Sequence, residues 1–202
     1  MMMPHAELWL FVSALSVLAV IARERSGAVA FARPLVAILI AGALSMIVIG
    51  EERGSPATFG VVLTLACAIV CAASDLATGL IFDGVTALTG LVILFTASIG
   101  GNASASITGA CVCGASMFAL YTITSGRGIG LGDVKLGAVI GAGCGGVTAI
   151  SSIGVAFVAG SIWACALLLS NRARCGDRVP FAPFLTLGTL VSLGMSSLDR
   201  HG

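Results

Sequence analysis

The chain has 202 residues, 58% of them hydrophobic and 9% charged, with a mean hydropathy of +1.11 and a net charge of +1. A soluble domain carries about 25% charged residues, and so few polar side chains cannot cover a water-facing surface. The arithmetic excludes a disordered chain, a nucleic-acid-binding protein and a secreted disulfide scaffold. What remains is an integral membrane protein whose immediate surroundings are the lipid bilayer.

The charge-free stretches are 8–22, 34–50, 54–74, 84–126, 136–171 and 179–198. A bilayer-crossing helix needs about 20 apolar residues, so the stretches 84–126 and 136–171 each hold two. Gly100-Gly101-Asn102 divides the first of these and Gly145-Gly146 the second. The reading is an all-α polytopic helical bundle in a single membrane domain, 1–202, with about eight helices. They fall near 7–22, 34–50, 56–74, 84–99, 103–123, 134–144, 147–170 and 182–198. The sixth is short, and without it the count is seven. Nothing alternates apolar with polar as the strands of a membrane barrel would.

Ser55-Pro56 reads as a helix start, with a capping hydroxyl and then a proline at the first helical position. Pro180 and Pro183 flank the start of the last span in the same way. With eight alternating spans, Arg23, Arg25, Arg33, Arg127, Lys135, Arg172, Arg174 and Arg178 share one face, and Arg53 and Arg200 the other. Basic loops stay in the cytoplasm, so both termini are expected outside. The residues before the first span contain no Lys or Arg, which argues for an anchor rather than a cleaved signal peptide.

The seven cysteines read mostly as small buried apolar side chains. Cys111 and Cys113 have the wrong spacing for a structural zinc site, and Cys67 and Cys71 could share a helix face but lack further ligands. No metal or cofactor is expected. His5 and His201 are terminal, so histidine-based catalysis has no candidate.

The acids carry more information. Asp75 closes the third span, in Asp75-Leu-Ala-Thr-Gly79-Leu80-Ile81-Phe82-Asp83. Asp133 opens the sixth, in Gly130-Leu-Gly132-Asp133-Val-Lys135-Leu136. A carboxylate at the hydrocarbon edge is costly unless paired or facing a wet cavity. If the fold brings these two together, repulsion keeps both from ionising at once. One then holds a proton while the other polarises water, as in aspartic proteases. Either acid also has a structural reading. Asp75 could cap a helix end or pair with Arg127 or Lys135, and Asp133 stands where a helix dipole favours an anion.

The Gly130–Leu136 segment resembles the GxGD-x-K-L signature of the type IV prepilin peptidases, membrane aspartic endopeptidases of bacterial pilus and secretion systems. Asp75–Asp83 is similar to that family's D-x-x-x-x-x-I-P-D element, with Phe82 in place of the proline. Val179-Pro-Phe-Ala-Pro-Phe-Leu185 resembles its I-P-F-G-P-F-L element, with Ala182 in place of glycine. The elements occur in family order and delimit a peptidase core of about 70–193.

The resemblance implies Asp75 and Asp133 as the catalytic pair, with Gly130, Gly132, Lys135 and Asp83 in support. It implies a multi-pass protein of the inner (plasma) membrane, with its active site facing the cytoplasm. The expected substrate is the leader of a prepilin-like, Flp-like or preflagellin-like precursor. The chain looks like the short, peptidase-only members. Its first cytoplasmic loop, about 23–33, has no cysteine for a thiolate zinc clip, and cleavage without methylation is expected. The competing readings are a small proton-coupled transporter subunit, with the acids as relay groups, and an inactive assembly homologue. The sequence assigns no oligomeric state.

Overall fold

The computed structural model describes residues 56–126, 128–170 and 179–198. Within them every regular element is a helix: α1 Pro56–Thr78, α2 Asp83–Ile99, α3 Ala103–Ile123, α4 Leu131–Cys144, α5 Gly146–Leu169 and α6 Ala182–Leu198. The helices expected at 7–22 and 34–50, the loop between them, Ser55, Arg127 and the basic cluster at 172–178 lie outside the described residues. The all-helical membrane class stands. Three helices, α1, α3 and α5, are long and apolar enough to cross a bilayer among the described residues, fewer than the expected number of spans.

Two boundaries differ from expectation by more than one residue, both at acids. α1 continues past residue 74 to Thr78, so Asp75 lies inside its last turn rather than closing it. Helix α4 starts at Leu131 rather than 134, so Asp133 and Lys135 belong to its first turns. In both places charged residues mark the edge of the apolar run, but a polar side chain does not end a helix. Gly79 ends α1, its N–H donating to the Asp75 carbonyl at 2.8 Å. At α4 an early carboxylate is favoured by the helix dipole.

Helices joined by short connections run antiparallel. The end of α1 and start of α2, the end of α3 and start of α4, and the end of α5 and start of α6 therefore share one end of the bundle, with 100–102 and Gly145 at the other. The other helices surround α4. From Leu136 to Cys144 no α4 residue is exposed, and Leu136 and Ile140 are fully buried. Backbone proximity allows this. A Cβ on Gly141 would collide with the carbonyl of Gly109 on α3, so the α3–α4 crossing requires bare backbone at that point. One turn nearer the far end, Ser106 Oγ donates to the Ala142 carbonyl at 2.6 Å, tying the same pair together.

Candidate active site

The site lies at the end of the bundle where α1 stops and α4 and α6 begin. Asp75 projects half-buried from the last turn of α1. Its Oδ2 accepts the N–H of Ala182, the first residue of α6, at 3.1 Å. The carboxylate thus caps a helix far away in sequence, where the first amides have no intrahelical acceptor. Below it, Thr186 Oγ1 donates at 3.0 Å to the Ala68 carbonyl, pinning α6 to α1 one turn further into the bundle. The Cys67 and Cys71 thiols, two turns and one turn before Asp75 on α1, face each other at 4.0 Å in the core.

Asp133 is only 8% exposed. Its Oδ2 accepts the Gly130 N–H at 3.0 Å, closing the first turn of α4 on itself. Its Oδ1 is buried and has no hydrogen-bond partner among the described residues. A buried carboxylate oxygen left unpaired is rare and costly. It leaves one acceptor available to a group brought in from outside. The segments that carry the two carboxylates meet through Ile81 and Gly132, at one junction of the bundle.

Gly132 brings the segments together. A Cβ there would lie 2.8 Å from Ile81 Cβ, closer than packed carbons approach, so Ile81 rests directly on the α4 backbone. Ile81 belongs to the three-residue connector after Gly79, and Gly132 immediately precedes Asp133. The glycine therefore sets how closely the two acid-bearing segments meet. Gly130 has an extended backbone (φ −85°, ψ 157°), and its role here is to offer its amide to Asp133.

Lys135 Nζ lies 2.7 Å from Asp83 Oδ2, with both side chains largely in solvent. Of the partners considered for Asp75, Lys135 is thus engaged elsewhere and Arg127 is outside the described residues, while the helix-capping role is realised on α6. Phe82, in place of the family proline, is the extended residue before α2 and is 58% exposed. The spacing of the motifs gave no sign of two contacts: Ile81 seated on Gly132, and the Ala182 amide on Asp75. Both link segments far apart in sequence, although each residue falls within a motif singled out above.

A family model described as the type IV leader peptidase family matches residues 62–165, just over half of the chain. The chain belongs to this family. No curated protein and no solved structure matches it. The match runs from the first turns of α1 almost to the end of α5, so it contains Asp75, Asp83, Gly130, Gly132, Asp133 and Lys135. Val179–Leu185, whose backbone receives Asp75, lies beyond it. In this family member the charged side chains among the described residues, Asp75, Asp83, Asp133 and Lys135, all lie at one end of the bundle.

Proposed function

We propose that this leader peptidase is an aspartic endopeptidase of the inner membrane that removes the cytoplasmic leader of a prepilin-like precursor, with Asp75 and Asp133 as its catalytic pair. The observation carrying this reading is the convergence of the two acids. One carboxylate caps α6, the other keeps a buried oxygen without a hydrogen bond, and the segments that carry them meet where Ile81 rests on Gly132. In this reading the two act as a dyad, and since like charges side by side do not both ionise, one carboxyl retains its proton. The anionic member takes a proton from water as the water attacks the scissile carbonyl. The protonated member hydrogen-bonds the developing oxyanion and then donates to the leaving amine. The Ala182 and Gly130 amides hold each carboxylate in one orientation through both steps.

In this reading the 1–202 chain is one membrane domain of about eight helices, two of them ahead of α1, with a peptidase core near 70–193. The site end of the bundle faces the cytoplasm, a reading supported by the tendency of basic loops to stay there, with Lys135 and the sequence cluster Arg172, Arg174 and Arg178 on that side. Gly130, Gly132, Lys135 and Asp83 support the pair. No cofactor or metal takes part, and the product N-terminus is left unmethylated.

The test is co-expression with candidate precursors, read as a leader-sized mobility shift. Asp75→Asn and Asp133→Asn should each abolish cleavage while membrane insertion continues, and Asp83→Asn should be milder. Full activity in either of the first two variants overturns the assignment. Reporter fusions after Arg127 and Arg174 should report cytoplasm, and the opposite result would turn the site away from the leader.

A further inference from the structure

We infer that Asp83 and Lys135 form a latch that holds the Asp75-bearing and Asp133-bearing segments at a fixed spacing. The latch stands on geometry alone, whereas its effect on cleavage rests on the proposed peptidase reading. Asp83 follows Asp75 by eight residues and Lys135 follows Asp133 by two. The 2.7 Å bridge therefore joins the same two segments that carry the acids. In the same two segments, Ile81 sits on Gly132. One junction thus has two contacts, an inner apolar one and an outer charged one.

Each end of the bridge is held by its backbone. Asp83 is the first residue of α2, where the helix dipole favours a carboxylate, and its carbonyl accepts Thr86 Oγ1 at 3.1 Å. Lys135 precedes the fully buried Leu136 on the enclosed helix α4. Only side-chain atoms need order for the bridge to close. Among the described residues Lys135 pairs with Asp83 and with neither Asp75 nor Asp133. The bridge thus also keeps a cation from neutralising the two acids.

The side chains are 47% and 71% exposed. An exposed pair of this kind biases a local equilibrium by roughly two- to fivefold and adds little to global stability. It is also open to screening, since the Debye length at physiological salt is about 8 Å. The latch is therefore weak enough to open and close during turnover and is sensitive to ionic strength.

The experiment is hydrogen exchange of the full chain in lipid nanodiscs, read at the 79–82 connector and the first turn of α4. A parallel arm measures cleavage of a synthetic precursor with a basic leader and an apolar helix. Lys135→Met and Asp83→Asn should each speed exchange at both segments by roughly two- to fivefold and lower kcat by a similar factor with KM unchanged. Lys135→Arg should behave as wild type. High salt should speed exchange in the wild type and leave both neutral variants as they are. Unchanged exchange in both neutral variants overturns the latch whatever the activity. Faster exchange with undiminished cleavage overturns its positioning role. A wild type that does not cleave the precursor counts against the proposed function, and the exchange arm then decides the latch alone.

Discussion

Helices α4 and α5 are consecutive and separated by one residue, yet they meet different surroundings. α4 is 14 residues long and enclosed by protein, with only Leu131 and Lys135 exposed, both at its start. α5 has 24 residues and a broad apolar face turned outward, including Val147, Ile150, Val158, Ile162 and Leu169. Hydropathy follows these surroundings, with α5 the more apolar of the two and long enough to cross a bilayer, but it does not say which face meets lipid, because lipid tails and a protein core are equally good solvents for an apolar side chain. Backbone clearance does. Glycines of α4 touch neighbouring helices, whereas Gly154 of α5 has open space where its Cβ would stand. Length follows from the same distinction, since a helix enclosed on all sides need not itself match the bilayer thickness.

The sharpest way to break the comparison is a methyl group on each helix. Gly141→Ala places a Cβ against the Gly109 carbonyl, and both are backbone, so neither helix yields cheaply. Loss of most folded protein, seen as a collapsed monodisperse peak in detergent, is the expected result. Gly154→Ala meets nothing and should be neutral or raise stability by up to ~1 kcal/mol through helix propensity. Equal behaviour of the two would mean that α4 is not enclosed as described.

Gly132→Ala tests the same clearance at the site. Its Cβ meets a side chain, Ile81, so the connector can shift and the fold should survive. Displacing a catalytic group by about 1 Å costs on the order of 100-fold, and cleavage should fall by that order with only a small change in melting temperature. Retained activity would show that the close approach does not position the acids.

Truncation of isoleucines gives the smallest contrast. Ile140, fully buried on α4, should lose about 2–5 kcal/mol on conversion to Ala. Ile162, 66% exposed on α5, should change by less than about 0.5 kcal/mol, because lipid fills the space left behind. Reversible unfolding in mixed micelles separates the two.

These contrasts also show what the sequence could express. The bounds of α3 and α6 coincide with their expected ranges because strong local punctuation, Gly100-Gly101-Asn102 and the prolines around residue 180, surrounds them. The acid-bearing ends were misjudged by a few residues because charge was read as a boundary. Asp75 and Asp133 stood out as functional candidates on hydropathy alone, since a carboxylate at a hydrocarbon edge requires a reason. Their environment did not. The Ala182 amide on Asp75, Ile81 on Gly132 and Asp83 with Lys135 all join distant segments, and no local pattern specifies such pairings. Nor does α4 announce its burial, because a helix surrounded by apolar groups on every side has no amphipathic period to read.

The capping of α6 by Asp75 bears on how the protein is made. The amide that orients this carboxylate belongs to Ala182, so more than a hundred further residues must leave the ribosome before it can bind. Helices α1 to α5, including Asp133 with its own amide from Gly130, are all synthesised first. A nascent chain halted between α5 and α6 therefore carries both acids in the membrane with only one of them set. Biosynthesis itself withholds this arrangement until the sixth described helix docks, so no unfinished chain presents it to the membrane proteins around it.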